Sequence, residues 1–417
     1  MKVLYIDHYA GSDSMGMEFR PVYLARAWRR MGIDTVILAA DYSHLRRKNP
    51  EVAEDLQEEV IDAVPFVFLK TRRYSGNGKD RVLSMLEFTA KGRRAAKTLA
   101  TRYRPDVVIC SSTYPLDTYI GQAVARQTGA LLIHEIHDLW PLSPRLLGGY
   151  SAYHPFIVGM GLAEKSAYRA ADAIVSVLPN AAAHIKGLGF ATTPVVYIPN
   201  GLPQEVLERG VLGGGDAGAS DLIRRLHASG AYVVGYAGGL STSNAMDDFV
   251  QAMSYFKDDP SVQAVLIGGG KDRALLEAQA QAFGLTNITF VAPIAKEDVV
   301  ATLCQMDALY IGAAPSPLYE YGVSANKIFD YLLAGVPIIN AWNAAASPLE
   351  EVGTCLRARG GDAKEIARAV RASREISPER REEIRRINRA FVRTHHNYDK
   401  LAAQFARLFS LERRNEK

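Results

Sequence analysis

The chain has 417 residues, 48% of them hydrophobic and 23% charged, with a formal net charge of +4. These values are ordinary for a soluble globular protein, and the length suggests two or three domains. No run of 18 or more apolar residues occurs, which excludes a bilayer-spanning helix, and the scattered Cys110, Cys304 and Cys355 form no disulfide framework or Cys-rich metal site and fit a reducing cytoplasm.

"MKVLYIDHYAG" at the N-terminus is too short and too acidic for a signal peptide and reads as a first strand. A loop bracketed by Gly11 and Gly16 follows, then the helix "EFRPVYLARAWRRMG" ending at Gly32 and the strand "DTVILAAD". The next stretch is basic, with clusters at Arg46-Arg47-Lys48, Arg72-Arg73 and Lys91-Gly92-Arg93-Arg94. Residues 1–200 carry a net +5 and the remainder −1. Each cluster reads as a solvated helix face, or as attraction to an anionic surface or phosphorylated substrate. No nucleic-acid-binding motif accompanies the charge.

"PDVVICSS", "ALLIHEIHD" and "ADAIVSVLP" continue the strands, each separated by a helix-length segment. Such alternation predicts a parallel sheet covered on both faces. The stretch "AYHPFIVGMGL" (152–162) is apolar with few charges; its Phe156, Ile157 and Val158 read as core or as an exposed patch. "TPVVYIPNGLPQEVL" (193–207) breaks the rhythm with three prolines and the turn pair Asn200-Gly201, and the Gly-rich "GVLGGGDAGAS" after it reads as flexible. The alternation restarts with "AYVVGYAGG", "SVQAVLIGGG", "NITFVAP", "DALYIGAAP" and "VPIINAW". The chain thus reads as two successive doubly wound α/β domains, residues 1–195 and 203–395, with a hinge near residue 200. The last segment, 396–417, is expected as an amphipathic helix whose Leu401, Phe405, Leu408 and Phe409 pack back onto the first domain.

In open α/β sheets, ligands bind beyond the carboxyl ends of the strands. The Gly11–Gly16 loop qualifies by place, but it is not GxGxxG and a plain strand-to-helix turn explains it equally well. In "HEIHDLWPLSP", an extended backbone puts His134, Ile136 and Asp138 on one face and Glu135 and His137 on the other, so three ligands for one metal do not assemble. His134 reads as a satisfied core histidine; His137 and Asp138, at the strand end, read as functional. After "VVGYA", Gly238-Gly239 lead towards a helix beginning near Asn244, a pattern that lets backbone N–H groups approach a phosphate or simply makes a tight turn. "LIGGGKDR" lacks the Walker pattern and reads as a turn. In "YEYGVSANKIFDYLLAGVP" (319–337), Ser324 is expected as a helix N-cap, with Lys327 and Asp330 three apart on one helical face. A lysine for phosphate and a carboxylate for a sugar diol is what a nucleotide-sugar requires; a surface ion pair is the plain alternative.

The domain order, "IPNG" (198–201) and "SANKIFDYLLAGVPII" together resemble the retaining family-4 glycosyltransferases of the GT-B fold, over nearly the whole chain. "MGMEFRPVYLARAW", "DYSHLRR" and "HDLWPLSP" are similar to the bacterial branch that builds O-antigens, capsules and other surface polysaccharides. The resemblance implies two Rossmann-like domains facing a cleft, the first on the acceptor side and the second holding a nucleoside-diphosphate sugar. It implies that Asp330, five before Gly335 where many relatives have Glu, bonds the ribose hydroxyls. The family's earlier Glu contacts the donor sugar; position 322 here is Gly, and Glu320 is its substitute. Tyr321, Gly322, Val323 and Ser324 would line the diphosphate with Lys327 beside it. The Arg and Lys that many relatives carry after the first strand of this domain are missing from "GGLSTSNAM", so Gly239 and Leu240 would serve through their backbone and Asn244 through its amide.

The resemblance further implies transfer with retained anomeric configuration and, there being no Asp-x-Asp in the chain, without a metal or other cofactor. His137 and Asp138 would orient the sugar or the incoming hydroxyl, and Gly16, Met17 and Glu18 would face a lipid-linked or saccharide acceptor. The donor is expected to be UDP-linked, with an N-acetylamino sugar among the candidates. The protein is expected in the cytoplasm, or peripheral at the inner face of its membrane. An epimerase of the same fold and a non-catalytic sugar-nucleotide-binding subunit are the alternatives.

Overall fold

A computed structural model describes residues 1–76, 78–209, 211 and 213–413. Gly210 and Leu212 of the Gly-rich stretch, and the last four positions of the expected 396–417 helix, lie outside the described residues. The chain divides into two compact units: Met1–Pro199 joined by the C-terminal stretch from Tyr398, and Asn200–Asn397.

The first unit is built on eight strands: β1 (Lys2–Ile6), β2 (Asp34–Ala40), β3 (Gln57–Ile61), β4 (Val64–Leu69), β5 (Val107–Cys110), β6 (Leu131–Ile136), β7 (Ala173–Ser176) and β8 (Val195–Tyr197). Their order is β3-β4-β2-β1-β5-β6-β7-β8. All pairs are parallel except the β3–β4 hairpin. β5, β6 and β7 are buried throughout, as strands covered on both faces must be. At the end of the chain, the helix Tyr398–Ala406 and a 3-10 turn over Arg407–Ser410 follow one another. Leu401, Phe405 and Phe409 are buried with Trp28, whose indole N–H donates to the Ala402 carbonyl at 2.9 Å; Leu408 packs at the margin.

The second unit has six parallel strands: β9 (Tyr232–Ala237), β10 (Val262–Ile267), β11 (Ile288–Val291), β12 (Ala308–Gly312), β13 (Ile338–Ala341) and β14 (Leu356–Arg357). Alternate residues feed two cores. Val233, Leu309 and Ile311 meet Phe329 and Leu332, while Val234, Tyr236 and Tyr310 meet Phe249 and Ile366. The order β11-β10-β9-β12-β13-β14 reverses direction between β9 and β12, and in the first unit the reversal lies between β1 and β5. Crevices outside strand ends at such reversals are where doubly wound sheets bind ligands.

Candidate functional site

In the second unit, the chain leaves β9 through Gly238 and the exposed Gly239. Gly238 lies against the next glycine loop so closely that a Cβ on Gly268 would come within 1.9 Å of the Gly238 oxygen. The Tyr236 hydroxyl donates to the Gly239 carbonyl at 2.8 Å and fixes the turn. Asn244 completes it. Its amide NH2 donates to the Gly239 carbonyl and to Ser241 Oγ, both at 2.9 Å, which turns its oxygen towards Lys327.

Lys327 Nζ donates to that oxygen at 2.7 Å and to Tyr236 OH at 3.3 Å, with the rings of Tyr236 and Trp342 5.2 and 5.8 Å away. Burial among these groups lowers the lysine to about 8. Its partners are neutral, so the ammonium has a positive charge to offer. It sits in the first turn of the helix Asn326–Ala334, whose N-cap, Ala325, makes no side-chain cap hydrogen bond and whose first turn holds no acid. The Ile328 N–H of that turn donates to the Ala325 carbonyl at 3.0 Å, and the helix start at Asn326 and Lys327, together with the lysine ammonium, makes a place for an anion.

Ser324, expected as the cap, stands one residue before the capping position, which is Ala325, and is engaged elsewhere: Ser324 Oγ accepts the Asn200 N–H at 2.9 Å, and its carbonyl accepts the Asn200 side-chain amide at 2.7 Å. Three further expectations are corrected here. The Leu240 N–H donates to Gly269, that of Gly322 to Tyr319 and that of Val323 to Ala346, so none of the three amides is available for a phosphate. Tyr321 ends the 3-10 turn Pro317–Tyr321, and Glu320 lies exposed in that turn. Asp330 is one helical turn beyond Lys327 but meets a residue the sequence did not point to: both its oxygens accept from Lys296 Nζ, at 2.7 and 2.5 Å.

In the first unit, Glu135 and His137 share a face of β6 and its extension, as their spacing required. Glu135 is fully buried and paired with the equally buried Arg20, whose nitrogens lie 3.0 and 2.9 Å from one carboxylate oxygen. The other oxygen accepts from Tyr5 and, at 2.6 Å, from Ser111, which also bonds His137 Nε2 at 2.7 Å. Burial opposes charge on His137, but Glu135, 3.5 Å away, outweighs it and raises the imidazole. Asp7, just past β1, is missing from the sequence reading; burial raises it to about 7. Glu18 acts electrostatically on both Asp7 and His137, which puts the Gly16 loop beside them. The loop is tight: Gly11 and Glu18, and Ser12 and Gly16, are joined by backbone hydrogen bonds, Gly16 has φ +94°, and Met17 is exposed.

Asp138, by contrast, turns back into the chain, accepting from the Leu139 N–H at 3.0 Å and from Ser143 Oγ. His134 is buried and lowered to about 4 by burial, and its Nδ1 has no hydrogen-bond partner, so it is a core histidine but not a fully satisfied one. Among the described residues, no three His, Cys, Asp or Glu side chains gather as a metal-ligand set.

Residues 15–201 match the family described as glycosyl transferase 4-like domain, and residues 248–407 the family described as glycosyl transferase-like. The chain carries two glycosyltransferase-family domains. No curated protein matches the sequence. Among solved structures, sucrose-phosphate synthase from Thermosynechococcus elongatus shares this fold, with a TM-score of 0.74 at 18% identity over 98% of both chains. The α,α-trehalose 6-phosphate synthase of Burkholderia multivorans gives 0.71 at 14% over 98% of both. Anabaena HepE in complex with UDP-glucose gives 0.66 at 16%, over 98% of this chain and 99% of that one. At such identities the likeness establishes the GT-B fold.

Proposed function

We propose that this glycosyltransferase-family protein moves a hexosyl or N-acetylhexosaminyl group from a UDP-sugar to a lipid-linked or saccharide acceptor in bacterial surface-polysaccharide synthesis, with retention and without a metal. One observation carries the donor half of the reading. Lys327, held by Asn244 and Tyr236, stands at an uncapped helix N-terminus at the sheet's reversal point, with the Asp330 carboxylate a turn away. That order of groups suits a diphosphate followed by a ribose. The UDP-glucose bound to HepE, a chain of the same fold, supports the choice of probe.

In this reading the anomeric C–O bond to the diphosphate breaks as the acceptor oxygen bonds to the same face of the sugar. The acceptor's proton passes to the departing diphosphate, and Lys327 and the helix N–H groups offset its developing charge. The first unit takes the acceptor: the Glu18 loop, His137 and Asp7 orient its hydroxyl, with Asp7 raised to about 7 by burial and the His137 imidazole raised by Glu135 against its own burial.

A membrane-bound acceptor is favoured by one surface. The helix Leu142–Gly148, the turn after it and the helix Pro155–Ala170 expose Leu146, Leu147, Tyr150, Tyr153, Val158 and Leu162, with Tyr153 91% exposed. Ring contacts of Phe156 with Trp140 and Tyr150 tie these segments together. Between Leu139 and Ala171 the single acid is Glu164, buried and 2.7 Å from His184, while Arg145, Lys165 and Arg169 are exposed. An apolar face fringed by cations alone suits an anionic leaflet.

The deciding experiment offers UDP-sugars with polyprenyl-diphosphate or saccharide acceptors and follows UDP release and the anomeric configuration of the product by NMR. Epimerised donor without acceptor, or nucleotide binding without turnover, would replace the reading.

A further inference from the structure

Lys296 is the first residue of the helix Lys296–Leu303. A cation there faces the positive end of the helix dipole and is locally unfavourable. What holds it is Asp330, on the neighbouring helix Asn326–Ala334: one ammonium touches both carboxylate oxygens, at 2.7 and 2.5 Å. The two partners are unequally buried. The Asp330 side chain is 6% exposed and that of Lys296 29%, so the ammonium is the partner of a buried carboxylate while itself still meeting solvent. A carboxylate has about four lone-pair sites. With one on each oxygen taken by Lys296, one on each remains, and two acceptors side by side match the two hydroxyls of a vicinal diol.

We propose that Lys296 is a positioning residue for nucleotide recognition: by holding both Asp330 oxygens it keeps the carboxylate turned so that its remaining lone pairs accept the 2′- and 3′-hydroxyls of ribose. This rests on the donor reading of the second unit. Without Lys296, a carboxylate this buried loses its partner, and the protein relieves the cost by turning it away. The diol then loses its acceptor.

The test is calorimetric binding by the full chain of whichever of UDP, GDP, ADP and CDP binds tightest, set against its 2′-deoxy counterpart. The wild type should favour the ribonucleotide by about tenfold or more, as expected for a hydrogen bond to a charged group. Lys296→Met should bring that ratio within about threefold, and Lys296→Arg should keep most of it. Loss of a merely structural contact would lower melting temperature and weaken both nucleotides alike without moving the ratio. Should Lys296→Met not fold, Lys296→Gln, which still offers an amide donor, takes its place with the same expected fall. An unchanged ratio overturns the proposal, and so does a higher one, which would make Lys296 a competitor of the ribose. Asp330→Asn separates the two levels of inference. If it too keeps the ribose preference, or if no nucleotide binds the wild type, the donor site itself is wrong. If Asp330→Asn loses the preference while Lys296→Met retains it, only the role of Lys296 falls.

Discussion

Lys327 Nζ lies 2.7 Å from the side-chain oxygen of Asn244, and the Asn244 amide in turn holds the Gly239 carbonyl, so one residue ties the cation to the glycine turn. The lysine is buried beside neutral groups and lowered to about 8. A bound diphosphate favours the ammonium, so Lys327 titrates higher in the complex than in the free protein, and between those two values binding takes up a proton. Affinity for UDP should therefore fall as pH rises through about 8, while below it this group adds no slope. Lys327→Met should remove that slope and weaken UDP at pH 7 by roughly 1.5–3 kcal/mol, sparing uridine. Calorimetry across pH decides it; equal losses for UDP and uridine would make Lys327 structural.

The Arg20–Glu135 pair is a matter of stability. Both side chains are within 2% of full burial, and Arg20 also donates to the carbonyls of Ile198 and Pro199 at 2.9 and 2.7 Å. Arg20→Met should cost roughly 3–5 kcal/mol in urea denaturation, because it strands a buried carboxylate. Burial opposes the Glu135 charge, but Arg20 prevails and holds the carboxyl well below its usual range. The pair's contribution is thus full above the ordinary glutamate value and is lost as pH falls below about 4. A wild type whose stability stays level from pH 6 to pH 2.5 would contradict this.

What the sequence made legible, and what it did not, follows from the range of the interactions. Buried parallel strands favour apolar runs, so "VVIC" and the "LLI" that opens β6 announced themselves. The β3–β4 hairpin did not: its turn residues Asp62 and Ala63 both adopt positive φ, 49° and 65°, without the Asn-Gly or Asp-Gly pair that usually signals it. Lys327 and Asn244 were visible because each sits beside a recognisable loop or helix start. Ser324 is no cap because the helix starts one residue later, with Ala325 at the capping position, and the serine bonds Asn200, 124 residues away in the chain. Asp7 and Lys296 were missed for the same cause. Asp7 matters only because the fold brings it within electrostatic reach of His137 and Glu18, and Lys296 only because its side chain reaches Asp330 on another helix.

Metal dependence is open to a direct assay. The reading offers Lys327 and helix N–H groups, rather than a cation, to the leaving diphosphate. Initial rates should accordingly be unchanged within about twofold by EDTA, since electrostatic stabilisation would already be supplied by fixed protein groups. Activity abolished by EDTA and restored by magnesium would require metal ligands that this account does not contain.

The exposed apolar face of residues 146–162 makes the membrane testable by residue. Of the three side chains singled out in the sequence, Ile157 is buried and Phe156 packs against Trp140 and Tyr150, while Val158 is exposed. The contact would thus be made by a different set, led by Leu147, Tyr153 and Leu162, which are 58%, 91% and 63% exposed. Among the described residues no helix is long and apolar enough to cross a bilayer, so any contact by these helices is with its surface. Insertion of such side chains and attraction of Arg145 and Lys165 to anionic headgroups have separable signatures. Binding to vesicles with about a third phosphatidylglycerol should fall as salt is raised from low to about 0.5 M, because the Debye length shrinks to a few ångströms. Tyr153→Ser with Leu162→Ser should weaken binding at every salt concentration, and Arg145→Gln with Lys165→Gln should weaken it only at low salt. UDP release with a short water-soluble acceptor should be untouched by all four changes. Vesicle binding absent at low salt, or unaffected by both pairs, would leave a soluble saccharide as the acceptor.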